Sequence, residues 1–443
     1  MFNLSANVTE NRENESEDEH PAVSRADFIP DTTRLVQNDI SSIIGEASGI
    51  VHNSDQENMS IIPVIQRRNL RREDFSPSEI CRLRNSFLPN NPHMLKKYDS
   101  KVYCGIYSKD GRYFINATQD KQLHVFSTHN GGFEPYTGIQ ARDVGWSILD
   151  VAISPDNGYI AYSSWSESLY QCPLLREENA SSNAMETLQL APTERRFCVF
   201  SIAFSHDGRE ILCGANDNCL YIYDRERNQK VLEFRGHSKD VNAIIFADDT
   251  SQVFFSGSDD GLCKVWDKRT NIDKLNPRAV GMFAGHRSGI TYIDSRGDQR
   301  YLISNSKDQC IKLWDMRRYS NRTVKQLPDW DYRWMRLNLN EREWNSLLEG
   351  DTSVMTYYGH SVRKSLIRCR FSPKVTTGQR YIYTGDARGR LIIYDLLTGR
   401  IVHNVRGHKG CVRDVNWHPS GHNILTSSWD GKLNRWTYRT DQE

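Results

Sequence analysis

Histidine, serine, aspartate and tryptophan occur together in this chain at a recurring spacing, and His and Asp are side chains that can move protons in catalysis. The three sets are His237, Ser258, Asp260 and Trp266; His286, Ser306, Asp308 and Trp314; and His408, Ser428, Asp430 and Trp436. Buried polar groups must be hydrogen-bonded, and an Asp can accept the hydrogen bonds that a neighbouring His and Ser donate. Because the combination recurs with an aromatic residue, we interpret each set as a structural network that locks one folding unit.

Motifs typical of enzymes are absent from the sequence. It contains no G-x-x-x-x-G-K-[ST], G-x-G-x-x-G, H-E-x-x-H or G-x-S-x-G. Its Cys and His residues are not clustered at zinc-binding spacing. We therefore predict that the chain is not an enzyme and that it has no catalytic residue, no metal and no cofactor. The predicted activity is binding.

The clearest repeat runs from Gly236 to Arg317 and contains one pattern twice. Each copy has a Gly-His pair, an apolar segment and a strand that ends in Trp-Asp-x-Arg, at residues 266–269 and 314–317. A period of about 40 to 45 residues with these ends is typical of a WD-repeat β-propeller. A turn Asp precedes the strand-ending aromatic residue by six positions at Asp120, Asp217, Asp260, Asp308 and Asp430. We predict an all-β fold, a seven-bladed WD-repeat β-propeller over residues 99–443, with a long insertion at 319–358.

Length and composition narrow the class of protein. The chain has 443 residues and a formal net charge of +1, which gives no argument for binding to nucleic acid or to a membrane. No apolar run reaches the ~18 residues of a transmembrane helix, and the first residues lack the basic start and apolar core of a secretory signal. None of the ten Cys residues forms a C-x-x-C pair. We expect reduced thiols and a location in the nucleus and cytoplasm.

The segment before the repeats differs in composition. We predict that residues 1–66 form a disordered acidic tail, because the run 10–19 is acidic and polar. The apolar patch at residues 40–44 fits either a docking peptide or incidental apolar residues of that tail, and we expect the second. Residues 67–98 are predicted to hold a basic segment, a helix, and a strand near residues 94–98 that closes the ring.

A helix is predicted to begin after Ser76. The residues 76–79 supply an N-cap, a Pro at the first helical position and a Glu three residues beyond the cap. Ile80, Leu83 and Phe87 then recur on one face. This helix either covers the propeller or docks on a partner protein, and both interpretations stay open.

The Arg of each Trp-Asp-x-Arg box falls outside the His-Asp network. Arg269 and Arg317 end equivalent strands of successive blades, so we expect their guanidinium groups on one surface. Planar guanidinium groups suit carboxylates and interface pockets. The alternative is a local ion pair with Asp267 or Asp315.

Basic residues and tryptophans are predicted on the opposite face. They lie in the loops that enter the first strands or in nearby turns: Lys239, Arg287, Arg363, Arg388, Lys409, Arg413, Trp165 and Trp429. A basic ring with aromatic anchors would suit an acidic peptide segment of a client protein. Asp residues dilute this charge, so a plain solvated face is the alternative.

Longer stretches carry a resemblance to a known family. They are Phe87-Leu88-Pro89-Asn90, Cys104-Gly105-Ile106-Tyr107-Ser108, Trp330-Asp331-Tyr332-Arg333-Trp334 and Leu366-Ile367-Arg368-Cys369-Arg370-Phe371-Ser372-Pro373. With the tandem boxes, these stretches resemble WD-repeat protein 23 and its plant relatives, the LEC14B-like proteins, over residues 67–439. That family belongs to the substrate receptors of cullin-4 ubiquitin ligases. The box is confined to blades four and five in this chain, since blade three ends in Tyr223-Asp224-Arg225-Glu226 and blade six in Tyr394-Asp395-Leu396-Leu397.

The resemblance implies partners and roles. It implies that Asp267, Arg269, Asp315 and Arg317 face the adaptor, damaged-DNA-binding protein 1, and that the helix with Ile80, Leu83 and Phe87 enters a groove of that adaptor. The adaptor would join the chain to a cullin-4 RING ligase, to which this chain presents clients without transferring ubiquitin itself. Relatives are linked to the turnover of cap'n'collar transcription factors. The rival hypothesis is a non-enzymatic propeller scaffold of another nuclear or cytoplasmic assembly.

Overall fold

The computed structural model describes residues 30–50, 65–66, 68–70, 74–174, 185–190, 196–270, 272–321, 323, 331 and 348–440. The acidic run 10–19 and the tryptophans Trp330, Trp334 and Trp344 lie outside the described residues. The described strands form seven four-stranded sheets, which confirms the predicted seven-bladed propeller. Among the described helices, none has the length and apolar character needed to cross a membrane.

The blades follow one another in chain order. Blade one contains β2 (Val102–Tyr107), β3 (Tyr113–Thr118), β4 (Gln122–Ser127) and β5 (Glu134–Gln140); blade two contains β6 (Asp150–Ile153), β7 (Tyr159–Ser163), β8 (Ser168–Pro173) and β9 (Glu186–Gln189). Blade three contains β10 (Val199–Phe204), β11 (Glu210–Ala215), β12 (Cys219–Asp224) and β13 (Gln229–Arg235); blade four contains β14 (Val241–Phe246), β15 (Val253–Ser258), β16 (Leu262–Asp267) and β17 (Gly281–Ala284). Blade five contains β18 (Ile290–Ser295), β19 (Tyr301–Ser306), β20 (Cys310–Asp315) and β21 (Met355–Tyr358); blade six contains β22 (Cys369–Phe371), β23 (Tyr381–Gly385), β24 (Arg390–Asp395) and β25 (Ile401–Arg406). Blade seven contains β26 (Val412–Trp417), β27 (Ile424–Ser428), β28 (Lys432–Thr437) and β1 (Asn91–Lys97).

The first strands of neighbouring blades contact one another around the central axis. Each blade alternates direction from strand to strand, so its turns fall on two opposite faces. We call the face with the loops that enter the first strands the upper face. The lower face carries the turns between first and second strands and between third and fourth strands, and therefore the two Trp-Asp-x-Arg boxes.

The ring is closed by a strand from the N-terminal side of the chain. β1 pairs antiparallel with β28, with Asn91 opposite Thr437 and Lys97 opposite Lys432. The strand begins three residues before the predicted range 94–98. This pairing covers the hydrogen-bonding edge that the last repeat would otherwise expose.

The apolar core lies between adjacent blades. Ile293, Leu302 and Trp314 of blade five pack with Phe255 and Val265 of blade four, and all five side chains are buried. Inner strands such as β19 and β20 are buried along their whole length, whereas outer strands such as β5 and β25 are partly exposed.

The turn between the second and third strands needs a residue with left-handed backbone. Gly261 (φ 78°) and Gly431 (φ 75°) supply it in blades four and seven, while Asn218 (φ 69°) and Gln309 (φ 70°) adopt the same conformation in blades three and five. Gly has no steric penalty there. The turn brings the Asp carboxylate back over the next backbone N–H groups, as in the 3.1 Å bond from Leu262 N to Asp260 Oδ1.

The prediction of a disordered tail is wrong for residues 30–50. They form α1 (Thr33–Val36) and α2 (Ile40–Ser48), and the side chains of Leu35, Ile40 and Ile44 are completely buried in a core shared with blades five and six. Ile40 and Ile44 are four positions apart on α2 and fall on one face of that helix, so they are not incidental. The acidic composition of residues 10–19 concealed this short amphipathic segment.

The predicted insertion at 319–358 also needs correction at its ends. Met355–Tyr358 is the outer strand of blade five, β21, in which Met355 pairs with Leu313 of β20. At the other end, the Tyr319 ring lies 5.4 Å from the Phe283 ring. The connection is therefore shorter than the predicted range, because its last residues complete a blade.

The predicted helix is α3 (Pro77–Asn85), and it has the predicted capping box: Ser76 Oγ accepts from Glu79 N at 3.3 Å, and Glu79 Oε2 accepts from Ser76 N at 2.9 Å. Its buried face packs on α4 (Lys374–Thr377), which joins β22 to β23 on the lower face. The Cys81 thiol lies 3.6 Å from the Val375 carbonyl oxygen. α3 thus covers the propeller below blade six.

Candidate functional site

The predicted His-Asp networks are present in blades four, five and seven. In blade four Trp266 Nε1 donates to Ser256 Oγ at 2.8 Å, Ser256 Oγ lies 2.7 Å from His237 Nε2, and His237 Nδ1 lies 2.9 Å from Asp260 Oδ2. The Asp260 carboxylate can only accept, so the proton of the neutral His237 sits on Nδ1, and Ser256, which accepts from Trp266, gives its single hydrogen to Nε2. Equivalent sets are His286, Ser304, Asp308 and Trp314, and His408, Thr426, Asp430 and Trp436.

The serines predicted for these networks occupy a different place. Ser258 Oγ accepts from Asp260 N at 3.1 Å and donates to Lys239 O at 3.0 Å, so it fixes the turn instead of contacting the His. Ser306 and Ser428 accept from the N–H of their turn Asp in the same way. Residues two apart share one face of a strand, so spacing alone did not separate Ser258 from Ser256.

Acid is expected to destabilise these networks. Burial lowers the pKa of the His237 imidazole below 6.5. Burial raises the pKa of Asp260, but hydrogen bonds from His237, Ser238 and Leu262 outweigh it and lower that pKa from 3.8 to about 2. In both cases the unfolded chain binds a proton more readily than the folded chain, so stability is fully present above pH ~6.5 and is lost progressively as the pH falls toward ~2.

We expect the denaturation midpoint to be lower at pH 5.5 than at pH 7.5, and lower again at pH 4. His237→Gln should reduce the loss between pH 7.5 and 5.5, because it removes one of the titrating groups. A midpoint that stays constant or rises on acidification would contradict this assignment.

One of the networks has the ligand types of a metal site. Ligand atoms of His286, Asp308 and Cys310 all lie within 4.8 Å of one another and are buried. Each is already hydrogen-bonded within the group, since His286 Nδ1 lies 3.1 Å and Cys310 Sγ 2.9 Å from Asp308. Burial also raises the pKa of the Cys310 thiol well above its ordinary value, which disfavours the thiolate that a metal needs. These residues therefore form the same structural network as in blades four and seven, with the Cys310 thiol as an additional member.

The central channel contains a buried ion-pair cluster that sequence reasoning missed. Arg368 donates to Asp150 at 2.6 Å and to Asp414 at 3.0 Å, and Arg370 donates to Asp414 at 2.9 Å. These residues belong to first strands, or the residue before one, of blades two, six and seven. These ion pairs could not be predicted from the sequence, because the paired residues are far apart along the chain. Nothing in the residues around a channel-facing side chain indicates which distant residue it contacts.

Arg413 belongs to this cluster and not to the upper face. The prediction that it lines a client-binding surface is wrong, since its side chain is buried and donates to the carbonyl oxygens of Tyr103 at 2.7 Å and Leu149 at 2.9 Å. It is the second residue of β26 and faces the channel. The loop that enters β26 ends before Arg413, so this residue is not part of the upper-face loop.

The other predicted cations do lie on the upper face. Lys239, Arg388 and Lys409 are exposed, and Arg287 and Arg363 are half-buried. Arg388 stands where other blades have the turn Asp, and the preceding Asp386 takes over that role by accepting from Ser361 N at 2.5 Å.

Three tryptophans accompany these cations. Trp165 is 42% exposed, and the half-buried Trp429 carries the Lys101 ammonium 5.0 Å from its ring centre. Trp146, which the sequence analysis missed, is 65% exposed and donates its Nε1–H to Tyr103 Oη at 3.2 Å. Its position in the loop that enters β6 could have predicted that it lies on the upper face. The upper face therefore combines exposed aromatic rings with positive charge.

On the lower face, the blade-four box forms a local ion pair that leaves the Arg exposed. Arg269 Nε lies 2.9 Å from Asp267 Oδ1 and Arg269 Nη2 lies 2.7 Å from Asp267 Oδ2, a bidentate pair. The Arg269 side chain is 67% exposed. The carboxylate fixes the plane of the guanidinium group without covering it.

The blade-five box has a different environment. Arg317 pairs with Asp315 in the same bidentate way, at 3.2 Å and 2.9 Å, but Asp315 is completely buried. Residues Asn38 and Asp39 of the N-terminal segment contact this pair. Both box arginines are exposed, Arg317 at 54%, and the boxes differ in the burial of the Asp and in the contacts from the N-terminal segment.

The predicted apolar stripe of α3 is divided between core and solvent. Ile80 and Leu83 are half-buried, whereas Phe87 is 45% exposed and its ring lies edge-on to Tyr438 at 5.2 Å. The residue most deeply buried on α3 is Cys81. The helix thus packs on the propeller and still presents apolar side chains on the lower face.

Comparison with known proteins agrees with this architecture. The family described as WD domain, G-beta repeat matches residues 191–224, 228–267, 277–315 and 399–437. The chain is similar to the DDB1- and CUL4-associated factor 11 homolog of Caenorhabditis elegans, at 35% identity over 94% of this chain and 73% of that protein. It is 40% identical to the LEC14B protein of Lithospermum erythrorhizon and 38% identical to the LEC14B homolog of Prunus armeniaca, in each case over 83% of this chain and about four fifths of the relative.

The similarity to the nematode protein covers nearly the whole chain. The chain belongs to the family of WD-repeat β-propellers that includes LEC14B and DDB1- and CUL4-associated factor 11.

Proposed function

We propose that this chain is a substrate receptor of a cullin-4 RING ubiquitin ligase. Two relatives that share 35% and 36% identity are named DDB1- and CUL4-associated factor 11 homolog, and the chain covers 73% and 69% of their length. The structural observation that carries the proposal is the exposed, carboxylate-oriented guanidinium of Arg269 on the lower face. In this proposal the lower face binds the adaptor, damaged-DNA-binding protein 1.

The local ion pair of Arg269 prepares it for a partner. The contacts with Asp267 use Nε and Nη2, and they hold a long side chain in one conformation. Binding then costs less side-chain entropy than it would for a freely rotating Arg. The ion pair and the interface role, which the sequence presented as alternatives, are compatible.

Apolar side chains around the lower face favour a protein partner. The exposed ones are Val36, Phe87, Leu275, Val375 and Tyr438, with exposed fractions of 69%, 45%, 96%, 66% and 40%. They lie on α1, at the end of α3, in the β16–β17 connection, on α4 and directly after β28. Exposed large apolar side chains on a face that also carries an exposed Arg are typical of protein interfaces.

The upper face is proposed to bind clients. Its exposed tryptophans and the cations Lys239, Arg388 and Lys409 suit an acidic segment with an apolar anchor. Family resemblance makes cap'n'collar-type transcription factors candidates. The chain would act in the nucleus and cytoplasm, and ubiquitin transfer would belong to other subunits. The alternative is a scaffold of another assembly, in which the lower face binds a different protein.

An affinity capture with matched variants tests the proposal. Wild-type chain should retain the adaptor and cullin-4, and Arg269→Ala should weaken adaptor binding about tenfold, as expected for an interface Arg. Arg388→Ala, an exposed Arg on the upper face, should leave it unchanged. Both melting temperatures should stay close to wild type, because exposed ion pairs contribute at most about 1 kcal/mol. Wild-type chain that captures neither adaptor nor cullin-4 would replace the receptor assignment with the scaffold alternative.

A further inference from the structure

The blade-five box is occupied by residues of the same chain. Asn38 Nδ2 donates to Asp315 Oδ2 at 2.9 Å, and Tyr301 Oη donates to Asn38 Oδ1 at 2.6 Å. Asn38 is 3% exposed and Asp315 is completely buried. A buried amide that satisfies a buried carboxylate is a specific contact, because the loss of either partner would leave the other unpaired.

The next residue extends this contact to the box arginine. Asp39 Oδ2 accepts from Arg317 Nη1 at 3.1 Å and from Arg300 Nη2 at 2.6 Å. Arg317 therefore holds two carboxylates, one of its own box and one of the N-terminal segment. The arrangement differs from blade four, where the contacts of Arg269 are with Asp267 of the same box.

The rest of the N-terminal segment is anchored nearby. Leu35, Ile40 and Ile44 are buried with residues of blades five and six. Arg34 Nη1 donates to the carbonyl oxygens of Asp351 at 2.9 Å and Ser353 at 3.1 Å. The apolar residues of the segment are therefore buried in the core, and the polar contacts at the box fix its position on the propeller.

We propose that the blade-five box is a binding site for the chain's own N-terminal segment, residues 30–50, and that Arg317 is a positioning residue. It holds α1 and α2 on the lower face, where Val36 is exposed. The consequence for adaptor binding rests on the proposed function. The two boxes then act differently: Arg269 contacts the partner, and Arg317 presents a segment that contacts it.

Hydrogen exchange of the free, full-length chain tests the anchoring without any partner. Asn38→Asp keeps the size of the side chain but places a second carboxylate against Asp315. Arg317→Ala removes one of the two donors to Asp39 and also the bidentate partner of the buried Asp315. Each should accelerate amide exchange of residues 35–48 about tenfold or more, the effect of losing a charge-assisted hydrogen bond. Arg269→Ala and Glu46→Gln, an exposed change on α2, should leave this exchange unchanged. Unchanged exchange in both Asn38→Asp and Arg317→Ala would overturn the proposal.

Adaptor affinity of the same variants tests the coupling. Asn38→Asp and Arg317→Ala should weaken adaptor binding by similar factors, and combining them should add little, because both release one segment. Arg269→Ala combined with Arg317→Ala should instead multiply the two losses. If Asn38→Asp releases the segment and affinity stays at the wild-type value, the positioning role is wrong although the anchoring is right. If wild type does not bind the adaptor, the proposed function fails, and the exchange result still decides the anchoring.

Discussion

Replacement of Asp414 by Ala is expected to lower the free energy of unfolding by about 3–5 kcal/mol, the cost typical of breaking a buried ion pair. Asp414 is completely buried and accepts hydrogen bonds from Arg368, Arg370 and the N–H of Gly105. Its removal leaves the second acidic partner of Arg368, Asp150, but takes the carboxylate from Arg370. A guanidinium group cannot lose its proton to escape burial, so the cost stays in the folded state.

Chemical denaturation at neutral pH measures this loss. Asp249→Ala is a matched control, because Asp249 forms an exposed ion pair with Lys109 and such pairs contribute at most about 1 kcal/mol. If both variants lowered the free energy of unfolding by a similar small amount, the ion pairs of Asp414 in the channel would not be formed as the structure shows them.

Ile44→Ala is the second substitution with a large expected effect. Ile44 is completely buried on α2 and packs in the core that joins the N-terminal segment to blades five and six. Truncation removes apolar burial and leaves a cavity, which together cost about 2–5 kcal/mol at buried aliphatic positions.

Two measurements locate this loss. The denaturation midpoint should fall, and amide exchange in α2 should accelerate more than exchange in the blade strands, since the cavity lies under the segment. Val36→Ala is the control, because Val36 is 69% exposed. An Ile44→Ala chain with wild-type stability and exchange would mean that residues 30–50 are not part of the folded core.

The propeller was predictable because its signal repeats. Each Gly-His pair, turn Asp and strand-ending Trp is weak evidence alone, but the fixed spacing between Asp260 and Trp266 recurs in other blades and sets the blade boundaries. The helix at α3 was predictable for a local reason, since Ser76 and Glu79 form a capping box that requires no tertiary contact.

Tertiary contacts decided the features that the sequence concealed. Ser256 and Ser258 share a strand face, and only the approach of His237 selects the first. The pairing of Arg368 with Asp150 spans 218 residues. The apolar residues of the N-terminal segment are visible in the sequence, but only their packing against blades five and six shows that Leu35 and Ile44 belong to the folded core.

The footprint of the adaptor on the wild-type chain tests the central claim most directly. Hydrogen exchange of the full-length chain, measured with and without purified damaged-DNA-binding protein 1, should show slower exchange at residues 268–270 after β16 and in α1, α2 and α3. The upper-face loops at 141–148 and 361–367 should exchange as in the free chain. Protection confined to the upper face, or no protection at saturating adaptor, would contradict a receptor that binds its ligase through the lower face.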